Sequence, residues 1–537
     1  MSCLSLLAVA GLASLAPFAS GNEEAHRRLM KSMGAGMGKM MSQKLAAVEA
    51  ALKADVEPPA AMSGVPCGVD GMAGEYLCNN VDLLSFVPRK DLFGSTVHDA
   101  AAFSDIWGWT DTEGDGHEYV LLGALTGTTF VDVTDPLAPV VVGFAETGGD
   151  CEGFNFWRDV KTVGHYAYIV ADHLPGAGLQ VVDLTQLRGV AASVGAGGRK
   201  LRFGSFTPPE PLPVCNESTV ASVIYTDVLD TAHNVVSFSP TDVAAGAEPV
   251  LIATGAKDAD GELLCGGGLA FFGLEDPMNP NYLGCFGTVY THDAQCVLYH
   301  GPDVEYQGRE LCFCSNTNEI SVVDVTDKAK PFLINRVYGC SAGEFSPPQN
   351  VYPYGIECSE SLPEVDGGPY HSWKPGFVHQ GWLTEDHAHF ILGDEGDEEK
   401  LLVNNVTSYL FDFSDLDLLK YAGRFEAGYV GVDHNLYVNG NKSYHADYTA
   451  GLRVRSANVA ADPKEVGFFD VAPDYVTGYI TDFANVGNGV ADAMPSDEGA
   501  GFIFLGAWSV YPFFASGTVA VSSVDRGLFL LKYTGSD

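Results

Sequence analysis

Positive charge is what this chain has least of. Against 69 Asp and Glu residues stand only 29 Lys and Arg, a formal net charge of −40 over 537 residues. Binding to phosphates is driven by Lys and Arg, so this deficit argues against a nucleic-acid partner. Attraction to anionic lipid is disfavoured for the same reason. Charge of either sign is sparse at 18% of residues, while 46% are hydrophobic, a balance that excludes disorder over most of the chain and provides ample core. After the first apolar run, LSLLAVAGLASLAPFASG from Leu4, no stretch reaches membrane-spanning length, and the last residues before Asp537 are not hydrophobic. Neither a membrane span after signal cleavage nor a C-terminal anchor is expected.

Several catalytic and binding signatures are missing as well. Gly34-x-Gly36-x-Gly38 has no strand before it and is not a nucleotide loop. Gly339-Cys340-Ser341-Ala342-Gly343 fits the G-x-S-x-G pattern, but Pro347 and Pro348 follow where a nucleophile elbow needs a helix. Cys312-Phe313-Cys314 lacks the C-x-x-C spacing of a redox or zinc site, so buried or disulfide-bonded Cys is expected there.

What the chain does have is one pattern repeated: GTTFVDVTDPLAP from Gly127, GLQVVDLTQLRG from Gly178, GLAFFGLEDPMNP from Gly268, EISVVDVTDKAKP from Glu319 and TSYLFDFSDLDLL from Thr407, with looser copies at Gly451 and Gly527. Each copy is a β-branched or aromatic run, apolar on both faces and closed by an Asp or Ser/Thr turn. That is the pattern of a strand buried between sheets. Aligned on the turn Asp, the copies fall at Asp132, Asp183, Gly273, Asp324, Asp412, Ser456 and Lys532, steps of 51, 90, 51, 88, 44 and 76 residues. The short steps approach the roughly 40–50 residues of a four-stranded propeller blade, and the long ones need inserted loops.

The expected fold is therefore an all-β, seven-bladed propeller. Blade 4 can be read strand by strand as THDAQCVLY from Thr291, RELCFCS from Arg309, EISVVDV from Glu319 and PFLINRVY from Pro331. The last blade runs out after GLFLLKY from Gly527 and lacks a fourth strand. A closed ring leaves no free edge, so NVDLLSFV from Asn80 is expected to supply that strand and latch the propeller. Insertions are expected near 191–225, 335–375 and 472–500.

Ahead of the propeller, expected over 61–537, lie two further segments. Residues 1–21 read as a signal peptide ending in small residues, with Ala19 at the small-residue position, although a basic start is missing. Residues 22–60 read as a helical leader or propeptide-like segment with Met30, Met33, Met37, Met40 and Met41 on one side. Twelve Cys fit an oxidising compartment, and eleven remain once Cys3 leaves with the signal. Cys67 with Cys78, then Cys340 with Cys358, are the pairs expected first. Asn216 and Asn441 are the glycosylation candidates, and Asn405 is a weaker sequon because it runs into a strand.

CGVDGMAGEYLCNNVDLLS from Cys67, DIWGWTD from Asp105, YTHDAQCVLYHGPDVEYQGRELCF from Tyr290, HQGWLTEDH from His379, DHNLYV from Asp433 and AWSVYPFFASG from Ala507 resemble the choice-of-anchor B proteins, whose LVIVD repeats build exported β-propellers. The resemblance spans roughly residues 67–533. It implies a fold and an extracellular location, but no reaction. This chain departs from the family at the C-terminal anchor, in its N-terminal helix, and in the sixth copy, where RVRSANV replaces the usual VVD strand.

Polar residues recur where each inner strand begins. The funnel candidates are Asp159, His233, His292, Asp293, His379, Asp433 and His434, since equivalent positions of consecutive blades converge on the propeller axis. They suit a ligand or divalent-metal site; the competing reading is that each locks neighbouring blades together. Asp394, Glu395, Asp397 and Glu398 form a carboxylate turn suited to Ca²⁺, which takes several hard oxygen ligands, or else a solvated acidic loop. The sequence thus supports a secreted binding or interaction module for an extracellular protein or glycan ligand, with no cofactor beyond a candidate Ca²⁺. Two alternatives stand beside it. One is an extracellular metal-dependent hydrolase using His292, His379 and His434 with Asp293 or Asp433, and the other is a structural cell-surface protein.

Overall fold

Seven sheets surround one axis. The computed structural model describes residues 43–48, 60–92, 102–149, 157–195, 220–238, 240–338, 375–400, 402–457, 463–473 and 504–536, and these form a seven-bladed β-propeller of antiparallel blades. Inner strands, in blade order, are Phe103–Thr110, Arg158–Val163, Asn234–Ser237, Asp293–Leu298, Val378–Leu383, Asn435–Asn439 and Ala507–Tyr511. Blade 4 is built from Asp293–Leu298, Glu310–Ser315, Glu319–Asp324 and Phe332–Tyr338, the four strands read from the sequence.

The repeated segments are the third strands, buried on both faces. Their closing Asp has a local task. Oδ1 of Asp132, Asp183, Asp324 and Asp412 accepts the amide two residues on, at 3.0, 2.9, 2.9 and 2.9 Å. This Asx turn satisfies a backbone donor where the strand leaves the sheet. The repeat is thus explained by architecture alone. Between blades 4 and 5, Phe313 stacks on Phe390 and Phe413 with centroids 6.3 and 5.8 Å apart, representative of cores that lie between sheets.

The latch forms as expected. Val81–Pro88 pairs antiparallel with Gly527–Tyr533, completing blade 7 with a strand from the other end of the chain. Met62–Val65 adds a fifth strand outside it. The pattern gave no sign of a second addition, in which Tyr76–Asn79 pairs with Glu465–Phe469 and extends blade 6. Cys67 is disulfide-bonded to Cys78 in this segment, and Cys265–Cys285 and Cys296–Cys312 are also bonded. Cys314 is free and buried among the described residues.

Two expectations are modified. Residues 191–225 are not wholly insertion, because Ser222–Tyr225 returns as the outer strand of blade 2. The acidic turn is not solvated: Asp394 caps the short helix Glu395–Glu399, and Glu395, Asp397 and Glu398 are all buried. The atypical third strand of blade 6 has a specific cause. Buried Arg455 donates to Asp447 at 2.9 Å, Ser408 at 2.6 Å and the Tyr429 hydroxyl at 2.8 Å, so a cation pairs with its own acid where other blades carry an aliphatic or aromatic side chain. Residues 1–21, the methionines Met30 to Met41, Asn216, Cys340, Cys358 and Gly339–Gly343 lie outside the described residues.

Candidate functional site: a histidine-lined axial pocket

The residue just before, or at the start of, each inner strand sits where blades crowd the axis. These residues line a cavity of about 660 Å³, counting the open space at its mouth. Consecutive blades 3 to 6 place His233, His292, His379 and His434 side by side, with successive ring centroids 4.3, 4.3 and 4.2 Å apart.

Their outward nitrogens fix the tautomers. His292 Nδ1 faces the His379 carbonyl at 2.8 Å, and His434 Nδ1 faces the Trp508 carbonyl at 2.5 Å. A carbonyl only accepts, so both Nδ1 atoms carry the proton. His233 Nδ1 faces Asp172 Oδ2 at 2.7 Å. Burial would raise the Asp172 carboxyl, but His173 and His233 outweigh it and hold Asp172 well below the usual carboxylate range, so this contact also accepts a proton from imidazole. Burial, followed by neighbouring imidazoles or by the Lys44 charge, keeps His292, His379 and His434 neutral. The locked rings of His292 and His434 then turn a lone pair at Nε2 toward the pocket. His233 Nε2 and His292 Nε2 lie at hydrogen-bond distance, 2.7 Å apart, so the two rings share either one proton or one bound cation. His379 differs, since its Nδ1 has no hydrogen-bond partner.

A carboxylate joins this row. Glu395 lies 3.7 Å from His379 Nε2 and 3.6 Å from His434 Nε2, and the ligand atoms of these three residues fall within 4.8 Å of one another. Its position depends on glycines. A Cβ at Gly396 would come 2.6 Å from the Gly376 carbonyl carbon, so only this pair of glycines allows residues 376–377 to close against the helix. There the amides of Gly376 and Phe377 bind Asp394.

A cation from the same chain completes the pocket. Residues 43–48 form a helical turn over the mouth, packed through Leu45, Ala47 and Val48 against Trp157, Phe377, Phe504 and Trp508. Buried Lys44 pairs with Glu395 and donates across its Oε1. Its ammonium also lies 5.6, 5.5 and 5.3 Å from the ring centroids of Tyr448, Phe504 and Trp508, a cation–π cage. Burial would raise Glu395, but the Lys44 charge outweighs it and keeps the carboxylate ionised.

Deeper along the axis the side chains are structural. Asp159 Oδ2 accepts the Val235 amide at 2.7 Å, and Gln295 and Gln380 accept those of Leu383 and Leu436 at 2.7 and 2.8 Å, each joining one blade to the next. Lys161 bridges Asp159 and Asp105 and lies 4.6 Å from the Trp107 ring centroid. Asp293 lines the pocket and is pushed up to about 6, mainly by burial. Asp433 turns away from the axis, and its Oδ2 accepts the Asp394 amide at 3.2 Å. Of the funnel candidates, then, the histidines, Asp293 and Asp159 line the cavity, Asp159 also joining blades, and Asp433 faces the opposite side of the Glu395 helix. Lys44, Lys161, Asp172 and the axial role of Glu395 were not foreseen. Polar residues inside otherwise apolar inner strands are a usable signal for Lys161, but none existed for Lys44.

No family model and no curated protein matches the chain. Among solved structures, a protein from Lactobacillus plantarum aligns over 69% of this chain and 83% of its own, at 9% identity and a TM-score of 0.36. The β-propeller domain of Cps50 (Swd1) from Myceliophteria thermophila aligns over 81% and 99%, at 9% identity and 0.37. YCF48 bound to D1 peptide aligns over 88% and 100%, at 8% identity and 0.41. The fold assignment rests on the seven sheets themselves rather than on these alignments. Among the described residues no helix is long and apolar enough to cross a membrane.

Proposed function

We propose that this protein is an exported propeller of the choice-of-anchor B type whose axial pocket holds one transition-metal ion on His233, His292, His379 and His434, with Glu395 beside it. One observation carries the reading: three of the four Nδ1 atoms are committed to acceptors, so the Nε2 atoms are left to converge on the pocket, two of them 2.7 Å apart. Outer partners that fix the tautomer are characteristic of metal-ligating histidines, and neutral imidazoles suit zinc, copper, iron or nickel. Such an ion supplies Lewis-acid activation of water or of a bound substrate. Glu395 is ionised, with Oε2 free of hydrogen bonds, and is placed to take a proton, so the reaction class is metal-assisted hydrolysis.

Export is supported by the leader from Leu4, expected to be cleaved after Gly21, and by the three disulfides, which suit an oxidising compartment. Asn441, exposed at a hairpin turn, is the accessible glycosylation candidate. Residues 22–60 act as the propeptide-like segment preceding the propeller at 61–537, and their Lys44 caps the centre.

A second reading is favoured by Lys44 itself. An ammonium held by one carboxylate and three aromatic faces is the chemistry of an amine receptor. In that case the propeller is an extracellular binding module, and a partner's lysine side chain replaces Lys44. Elemental analysis of the purified protein, wild type beside His292→Ala/His379→Ala, separates the two. One transition metal per chain, lost in the variant, is expected for the metal centre. No transition metal, together with saturable binding of a lysine-bearing peptide, identifies the binding module.

A further inference from the structure

The other side of the Glu395–Glu399 helix carries an inference that does not depend on the axial centre. Asp397 and Glu398 face Asp433 of the next blade, with ligand atoms of all three within 4.8 Å of one another. All three are buried, at 0%, 3% and 1% exposure. Each has one oxygen pinned by a protein donor. Asp397 Oδ2 accepts from the Tyr409 hydroxyl at 2.6 Å, Glu398 Oε1 from the Thr407 amide at 2.8 Å, and Asp433 Oδ2 from the Asp394 amide at 3.2 Å. The second oxygen of each, Asp397 Oδ1, Glu398 Oε2 and Asp433 Oδ1, accepts no hydrogen bond.

Three buried carboxyl groups converging with no N–H or hydroxyl donor on their inner oxygens are costly unless a cation or a shared proton neutralises them. The buried cation of this blade, Arg455, is committed to Asp447 at 2.9 Å. Pinning one oxygen of each carboxylate fixes its plane and leaves the other as a ligand, so the cup is preorganised. Its donors are all carboxyl oxygens, the set a hard cation takes and a transition metal leaves for imidazole. We propose that Asp397, Glu398 and Asp433 bind one calcium ion, which ties the helix ending blade 5's second strand to the first residues of blade 6. Because Glu395 stands two residues before Asp397 and His434 directly follows Asp433, the ion also fixes the positions of two axial residues. The assignment reorders the acidic turn: Asp394 serves the backbone, Glu395 the axis, and Asp397 with Glu398 the calcium.

The test is calcium titration of the full-length protein after chelator treatment, followed by calorimetry and by thermal unfolding, with magnesium as a parallel titrant. One equivalent of calcium is expected, with a Kd below about 1 mM, within the range of extracellular modules. The unfolding midpoint is expected to rise with calcium and to change little with magnesium. Asp397→Asn/Glu398→Gln protein should remain folded, because amides remove the repulsion, yet lose both the heat and the shift. His379→Ala/His434→Ala protein should keep them, which separates this site from the axial one. A wild-type protein with no calcium heat and an unchanged midpoint overturns the proposal and means that Asp397 and Glu398 share a proton instead. Calcium heat retained in Asp397→Asn/Glu398→Gln protein overturns the assignment to these residues.

Discussion

The two faces of one five-residue helix differ in a single respect, the presence of a cation from the protein itself. On the axial face Glu395 meets Lys44 and stays ionised, although burial acts against it. On the opposite face Glu398 and Asp433 have no such partner, and burial, reinforced by Asp397, pushes both well above the usual carboxylate range. Burial is equal on the two faces, so it does not set the charge state. Pairing does. Just before the inner strand Asn435–Asn439, the dipeptide Asp433-His434 likewise places its acid on one side of the Glu395 helix and its imidazole on the other.

The largest test of this contrast removes the paired cation. Lys44→Met keeps the cation's apolar stem but leaves Glu395 buried and unpaired, and breaking a buried pair typically costs about 3–5 kcal/mol. Chemical denaturation of metal-free protein should show a loss of that order, recovered on adding zinc if the axial pocket takes a metal. An undiminished stability would remove Lys44 from its assigned place.

Glu319 supplies an intermediate case. It is buried at the start of a third strand with Arg336 3.5 Å away, and burial, only partly offset by that guanidinium, raises it from 4.5 to about 7. A carboxyl raised in the folded state stabilises fully below its unfolded value, and that contribution is lost as pH climbs through the folded one. Stability should therefore fall between about pH 4.5 and 7, by on the order of 3 kcal/mol. In Glu319→Gln protein, unfolding free energies across that window should lose this slope, whereas an unchanged slope would place its origin elsewhere.

A smaller effect comes from the unpaired face. Neutralising one of three converging carboxylates with Glu398→Gln should stabilise the calcium-free protein by on the order of 2 kcal/mol, with no gain once calcium saturates the wild type. Denaturant midpoints with and without calcium check this, and a loss in both conditions would show that the Thr407 contact matters more than the charge.

The architecture was legible because it is repetitive and local. Two-faced apolar strands, the Asx turn after Asp132 or Asp324, and a last blade one strand short are all properties of neighbouring residues, and together they yield seven blades and the latch from Val81–Pro88. The four axial histidines were legible for the same reason, as equivalent positions in successive blades. What escaped depends on contacts far apart in the chain. Nothing near Lys44 marks it as a partner of Glu395, 351 positions away. Nothing in DEGDEE says that one acid faces the axis and two face away, since that follows from helix phase and from the close approach of Gly376 and Gly396. RVRSANV looked like a degraded repeat because its compensating acid, Asp447, sits on the adjacent chain segment rather than within the repeat.

X-ray absorption at the edge of whatever transition metal the purified full-length protein carries would test the axial assignment most directly. The account predicts a first shell dominated by imidazole nitrogens at roughly 2.0–2.1 Å for zinc, with the signal lost in His379→Ala/His434→Ala protein. A first shell of oxygen alone, or protein that carries no transition metal even after loading of the Lys44→Met variant, would contradict it.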